Sequence, residues 1–284
     1  MKQELIKAAV IGDPIEHSLS PKIHNYFLRK YQINGQYKAI KVTKEDFEKE
    51  VKQLIKNGYR GFNITIPHKE AAIKLCDHLS QTARLIGAVN TISILDNGNI
   101  FGHNSDAQGF IDNLKYYDKN LLFKNKTAFV IGAGGGARAV IYALINENIK
   151  KLVITNRNEF KAQKLIEEFK DFAKSKNCQI ELLPKDRFEK EMIDCDILVN
   201  TTSLGMLNCN KLSINLINLP KSSIVNDIVY NPLMTDLLKM AQNNGSKIIT
   251  GIGMLVFQAL IGFEIWFGKK AEFEDNLIKE LIQF

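Results

Sequence analysis

A chain of 284 residues can bury a sizeable core in one or two domains, and its apolar share of 45% and charged share of 24% are those of an ordinary globular protein. The net charge of +7 is spread over scattered lysines, with no run of like charge and no basic-aromatic stripe, so no nucleic-acid partner is expected and the surface is suited to steering a small anion. Cys76, Cys178, Cys195 and Cys209 lie far apart without a Cys-x-x-Cys, which predicts reduced thiols in a cytoplasmic protein and no zinc or other metal site.

In chain order, Lys7–Gly12 reads as a strand; its apolar core is too short for a signal peptide and is cut off by Asp13-Pro14. Pro21–Tyr31 reads as a helix with Ser20 as its cap, Gln36–Val42 as a strand, Thr43–Asn57 as a helix and Gly61–Ile64 as a strand. Helix-like stretches at Ala71–Cys76 and Gln81–Ile86 follow, then a hairpin of Thr91–Leu95 and Ile100–His103 joined by Asp96-Asn97-Gly98-Asn99. Asp106–Tyr117 reads as a helix connecting two domains. Strands near Thr127, Lys151, Gln179, Ile197, Ile224 and Ile248, with helices between most of them, predict a doubly wound sheet. Asn208–Pro220 reads as an irregular surface loop. Met254–Phe267 and Phe273–Ile282 read as helices that return to the first domain; the former is interrupted by Gln258 and Glu264 and falls short of a membrane span. The expected fold is therefore α/β in two domains: a substrate domain of residues 1–105 and 254–284, and an inserted Rossmann-like domain of residues 106–253.

The stretch Val130-Ile131-Gly132-Ala133-Gly134-Gly135-Gly136-Ala137 leaves a strand and enters a helix, the context of a dinucleotide loop. Gly132 would allow the sharp turn, Gly134 the approach of a pyrophosphate, and Ala137 close packing of helix on strand. The helix N-terminus would offer unpaired N–H groups to the phosphates. The next strand ends at Asn156-Arg157, where an NAD site would place an acid for the ribose. Arg157, with Lys161 about one turn further on, suits a 2'-phosphate instead, so NADP is the expected cofactor, although Glu159 could reach a ribose hydroxyl.

Polar residues gather where strands should end. Ser18 and Ser20 could hold a ligand, or Ser20 could simply cap its helix; His17 reads as a local hydrogen-bonding residue. Lys69, beyond the turn Thr65-Ile66-Pro67, is either an acid-base group or a surface lysine. Asn90 can donate to and accept from a hydroxyl or merely form a turn, and Asp106 is either a helix cap or a functional carboxylate. Gln258, polar within a strongly apolar helix, needs a partner if buried.

His17-Ser18-Leu19-Ser20-Pro21, Asn63-Ile64-Thr65-Ile66-Pro67-His68-Lys69, Gly87-Ala88-Val89-Asn90-Thr91, the glycine loop, Asn156-Arg157 and Gly253-Met254-Leu255-Val256-Phe257-Gln258, in this order, resemble the shikimate dehydrogenase family from about Val10 to the last helix. The resemblance implies reversible NADPH-dependent reduction of 3-dehydroshikimate to shikimate in aromatic amino-acid biosynthesis, with the active site in a cleft between domains. It implies that Lys69 and Asp106 are the catalytic pair and that Ser18, Ser20, Thr65, Asn90, Tyr230 and Gln258 line the substrate site. It further implies cofactor contacts from Gly132, Gly134, Gly135, Gly136, Ala137, Asn156, Arg157, Lys161, Gly251 and Met254. A small-molecule substrate is thus the expected partner, with no membrane and a monomer or homodimer as the assembly.

Two departures from the family pattern stand out. Ser105 and Ala107 flank Asp106 where Thr and Gly are usual, a change expected to affect only backbone freedom. Asn158 and Lys161 replace a Thr and an Arg, which removes a hydroxyl and a guanidinium fork near the expected 2'-phosphate. On this reading the Lys69 ammonium hydrogen-bonds the ring carbonyl and delivers the proton, while Asp106 holds it and accepts from a ring hydroxyl. A quinate/shikimate dehydrogenase using NAD and a nucleotide-binding regulator without catalysis are the two rival readings.

Overall fold

Short apolar runs bounded by Gly, Pro and Asn and separated by amphipathic stretches are the pattern of sheets covered by helices. A computed structural model of the chain, describing residues 4–282, forms two units of this kind. One is the chain as far as Gly109 together with the chain from Leu255 onward; the other is Phe110–Met254. Residues 1–3 and 283–284, included in the expected substrate domain, lie outside the described residues.

The first unit opens with β1 (Ile6–Gly12), α1 (Ser20–Lys30), β2 (Gly35–Lys41), α2 (Phe47–Lys56) and β3 (Tyr59–Ile64). A 3-10 turn at Ala71–Leu75 leads to β4 (His78–Leu79), α3 (Gln81–Ile86) and the hairpin of β5 (Thr91–Ile94) and β6 (Ile100–His103). The sheet order is β2-β1-β3-β5-β6-β4, with β1 parallel to β2 and β3 and with β5 antiparallel to β3 and β6. β4 is too short to leave a period in the sequence and went unpredicted. The helix expected from Thr43 starts only at Phe47, because the Thr43 hydroxyl donates to Asp46 Oδ2 and accepts from the Asp46 N–H, closing a turn first. From there Phe47, Val51 and Leu54 recur at helical spacing and pack on Ile11, Phe62, Ile64 and Ile92.

α4 (Asp106–Tyr117) follows the hairpin, and the boundary between the units falls within it, after Gly109. The second unit continues with β7 (Thr127–Ile131), α5 (Gly135–Asn146), β8 (Lys151–Thr155), α6 (Glu159–Ser175), β9 (Gln179–Leu182) and α7 (Lys185–Glu191). It is completed by β10 (Ile197–Asn200), β11 (Ile224–Asp227), α8 (Asp236–Asn244) and β12 (Lys247–Ile249). All six strands are parallel in the order β12-β11-β10-β7-β8-β9. The order reverses at β7, and in such sheets ligands bind beyond the strand ends at that reversal. The stretch between β10 and β11 is irregular, as expected, but it is no mere surface loop. Leu216 and Leu219 are buried beside Val225, Leu237 and Leu238, so leucines of the connection cover a sheet face where a helix would otherwise lie.

α9 (Ile252–Phe267) and α10 (Asp275–Ile282) close the chain, and α9 re-enters the first unit at Leu255. There Phe263 and Trp266 are buried against Phe27, Tyr37 and His24, and the Trp266 indole donates to Ile92 O at 2.9 Å. Among the described residues no helix is long and apolar enough to cross a membrane.

Candidate active site

The polar residues of the first unit converge at the ends of β3 and β5 and the start of α4. Lys69 Nζ lies 2.6 Å from Asp106 Oδ2, with side chains 19% and 8% exposed, so the pair is shielded but reachable from solvent. An ammonium carries three N–H bonds, and this contact uses one of them. The other Asp106 oxygen accepts from Asn90 Nδ2 at 2.7 Å. The second N–H of that amide goes to Ser105 Oγ at 3.0 Å, while Asn90 Oδ1 accepts from the Ser105 N–H and the Thr91 hydroxyl. Asn90 thereby fixes Asp106 and the entry to α4.

Asp106 is not a helix cap. It is the first residue of α4, its own N–H donating to Asn104 Oδ1 at 3.1 Å, and its carboxylate sits at the positive end of the helix dipole. Ser105 does more than set backbone freedom, as its hydroxyl also meets Thr91 Oγ1 at 3.1 Å and so joins the network. Ala107 is buried in the first turn of α4.

Beside this cluster, Asn63 on β3 donates to Asn90 O, Thr91 Oγ1 and Gln258 Oε1 at 3.3 to 3.4 Å. Gln258 also donates to Leu255 O at 2.8 Å, so both ends of its buried amide have protein partners. Asn63 Oδ1 accepts from the Tyr37 hydroxyl at 2.5 Å. Burial raises the Tyr37 phenol well above its usual range, a hydrogen bond with Ser20 acting against it. His24 stacks on Tyr37 with centroids 3.9 Å apart; its ring nitrogens make no hydrogen bond of normal geometry among the described residues, and burial, opposed by Asn63, pushes its pKa down to about 3, which keeps it neutral.

Ser20 does not cap α1. The chain turns through Ser18 N–H to Ile15 O, helical geometry begins at Ser20, and Leu19 at the cap position offers no side-chain bond. Ser18 Oγ instead meets the Ser20 N–H at 3.3 Å. Thr65 is partly exposed, and its hydroxyl has no hydrogen bond among the described residues. Asn63, Tyr37 and Ser105 were not singled out as site residues from sequence; an Asn ending an apolar strand at Asn63-Ile64 was the one available signal.

The second unit offers a site made largely of backbone. Gly132 turns out of β7 at φ 119°, donating to Thr155 O at 2.8 Å, and a Cβ there would lie 2.5 Å from Thr201 Oγ1. Gly134, at the N-cap of α5, has ordinary extended backbone, and a Cβ built on it meets nothing within 4 Å. That open space before a helix N-terminus leaves N–H groups for a phosphate, so the residues present fit a dinucleotide. Gly135 begins α5, a Cβ on Gly136 would press on Ile228 Cδ1 at 2.8 Å, and Ala137 is buried. Gly251 packs on the end of β11, where a Cβ would come 2.5 Å from Ile228 O, and Met254 is buried in the first turn of α9.

Beyond β8, Asn156 Nδ2 donates to Asn158 O at 2.8 Å, and Asn158 is the N-cap of α6, its Oδ1 accepting from Lys161 N–H at 3.0 Å. The side chains of Arg157 and Lys161 are exposed and form no ion pair with any described residue, so both cations remain available to an anion. Tyr230 is partly buried and belongs to the second unit, apart from the other expected substrate residues in the chain's division.

A six-stranded parallel sheet with a glycine turn at its reversal point and free cations after the second strand, in a chain whose other unit holds a shielded Lys–Asp pair, defines a dinucleotide-dependent oxidoreductase. Family models agree in order along the chain: "Shikimate dehydrogenase substrate binding domain" matches residues 10–92, "Shikimate / quinate 5-dehydrogenase" residues 117–227, and "Shikimate 5'-dehydrogenase C-terminal domain" residues 251–275. A relative in Paramagnetospirillum magneticum, shikimate dehydrogenase (NADP(+)), is 40% identical over 95% of each chain. The crystal structure of shikimate dehydrogenase from Aquifex aeolicus superposes with a TM-score of 0.87 at 34% identity over 100% of each chain. Shikimate 5-dehydrogenase from Thermus thermophilus, solved in complex with NADP(H) and shikimate, gives 0.84 at 32% identity over 98% of each. The chain belongs to the shikimate dehydrogenase family.

Proposed function

We propose that this protein catalyses the reversible NADPH-dependent reduction of 3-dehydroshikimate to shikimate, on the route to chorismate and the aromatic amino acids. The observation that carries the reading is the Lys69–Asp106 contact of 2.6 Å, itself braced by Asn90. It keeps an ammonium aimed from a shielded position with two N–H bonds left for a ligand. Residues 1–105 and 254–284 would make most contacts to the acid and residues 106–253 most contacts to the cofactor. Ser18, Ser20, Thr65, Asn90, Tyr230 and Gln258 would hold its carboxylate and ring hydroxyls, Asp106 accepting from one hydroxyl.

NADPH, when bound, supplies the hydride that reduces the ring carbonyl carbon. Gly132, Gly134, Gly135, Gly136, Ala137, Gly251 and Met254 would hold its pyrophosphate and nicotinamide, with Asn156, Arg157 and Lys161 at the adenosine phosphate. In the reduction Lys69 hydrogen-bonds the carbonyl oxygen, stabilises the growing alkoxide charge and transfers one proton to it, leaving a neutral amine beside Asp106. Oxidation reverses the transfer. The protein would act in the cytoplasm as a monomer or homodimer.

A nicotinamide absorbance assay on the purified protein, crossing shikimate and quinate with NADP and NAD, tests this directly. Turnover confined largely to shikimate with NADP is expected. Comparable rates with quinate or NAD would replace the reading with a broader dehydrogenase, and NADP binding without turnover of either acid would replace it with a regulator.

A further inference from the structure

Outside the groups with an assigned role, the second unit buries one carboxylate completely. Asp227 ends β11, is 0% exposed and has no cation beside it among the described residues. Its Oδ1 accepts from Asn200 Nδ2 and from the Val229 N–H, both at 3.0 Å, and its Oδ2 accepts from the Thr235 hydroxyl at 2.7 Å. These donors come from three places: the end of β10, the residue before Tyr230, and the cap of α8. Burial raises the carboxyl pKa to about 6, with the hydrogen bonds from Thr235, Val229 and Asn200 acting against that rise. The group is thus an acceptor at neutral pH.

We propose that Asp227 is a positioning residue for the reaction, tying both ends of the 228–235 loop so that Tyr230 is held where the substrate meets it. The assignment rests on the shikimate reading of the preceding subsection. Ile228 does not depend on this tie, since its N–H donates to Asn200 O at 3.1 Å and its side chain adjoins Gly136. From Val229 onward the loop depends on the carboxylate, with a further bond from Leu207 N–H to Asn231 O at 2.9 Å. Asn200 extends the tie to the 200–204 turn, its Nδ2 donating to Leu204 O and its Oδ1 accepting from Thr202. An amide could not replace the carboxylate, because three donors converge on its two oxygens and an Asn would turn its own N–H bonds toward one of them.

The test is steady-state kinetics of Asp227→Asn, Tyr230→Phe and the double variant, with NADP affinity measured by equilibrium dialysis. Asp227→Asn is expected to raise KM for shikimate about tenfold, the scale of one lost charge-assisted hydrogen bond. NADP affinity should stay within about twofold, as the Ile228 backbone bond persists. The double variant should be no worse than the weaker single variant. Thr235→Val should reproduce the KM effect and Thr235→Ser should not, a pair that keeps the result readable should Asp227→Asn fold poorly. An unchanged KM in Asp227→Asn and Thr235→Val, or multiplicative effects in the double variant, would overturn the positioning role alone. No shikimate turnover by the unaltered protein would overturn the proposed function and this assignment with it.

Discussion

The two units build their sites by opposite means. In the first, functional atoms belong to side chains held in place by hydrogen bonds to one another: Lys69 to Asp106, Asp106 to Asn90, Asn90 to Ser105 and Thr91. In the second, the site is a bare backbone turn, and its residues matter for the side chains they lack. Side-chain networks place charge where a proton must move, and such placement is sensitive to each atom. Backbone sites bind a phosphate through N–H groups that nearly any sequence supplies, so their requirement is steric. Substitutions should therefore alter turnover in the first unit's network and cofactor affinity or stability at the second unit's glycine turn.

The largest expected effect is on Lys69. Lys69→Ala should lower kcat by a factor on the order of 10² or more, with a smaller change in KM, as for loss of a general acid. Near-normal kcat in that variant would remove Lys69 from the proton transfer and break the contrast at its strongest point.

Gly132→Ala comes next and works through the backbone. A Cβ at φ 119° is strained in any surroundings, and here it also meets Thr201 Oγ1 at 2.5 Å. A stability loss of about 1–3 kcal/mol is expected in urea unfolding, the scale of one residue held in a disfavoured conformation. An unchanged midpoint would mean that the turn can relax and that the steric account of this unit is wrong.

Much of this contrast could be read from the chain, and the parts that could not share a cause. Periodicity and breakers placed α4 at Asp106–Tyr117 and all six strands of the second unit, because each is specified by residues within a few positions of one another. The glycine turn was legible for the same reason. Asn63 with Gln258, 195 residues apart, and Tyr37 with Asn63 leave no local trace, since a buried amide advertises only its need for a partner and not which one. Asp227 shows this most clearly: its three donors are identifiable only once β10, β11 and α8 are assembled. Ser20 misled because a hydroxyl near a helix start is a cap in most sequences, and here the helix already begins at that residue.

Arg157→Ala probes the adenosine end, where the second unit's cofactor site relies on side-chain charge. Its guanidinium is exposed and pairs with no described residue, so removing it should raise KM for NADP about tenfold, the scale of a lost hydrogen bond to a charged group. KM for NAD, which has no 2'-phosphate, should change little. Equal effects on both cofactors would show that Arg157 serves the loop's shape and not the phosphate.

The smallest effect separates structure from recognition at the adjacent residue. Asn158 stands where the family usually has Thr, and the loss of a hydroxyl there suggests weaker NADP binding. In the structure its Oδ1 is committed to the Lys161 N–H as the cap of α6, a duty that Thr and Ser perform as well. Asn158→Ala should therefore cost about 1 kcal/mol in unfolding free energy, as for the loss of an N-cap, with NADP KM shifting only slightly. Asn158→Thr should keep the cap, and with it the stability. Because a hydroxyl bound to Lys161 N–H can still donate its own proton, Asn158→Thr should also lower NADP KM while leaving NAD KM where it was. A cofactor response from Asn158→Ala as large as that from Arg157→Ala would mean that this side chain reads the nucleotide directly, and the division between a side-chain site and a backbone site would then fail at the adenosine end.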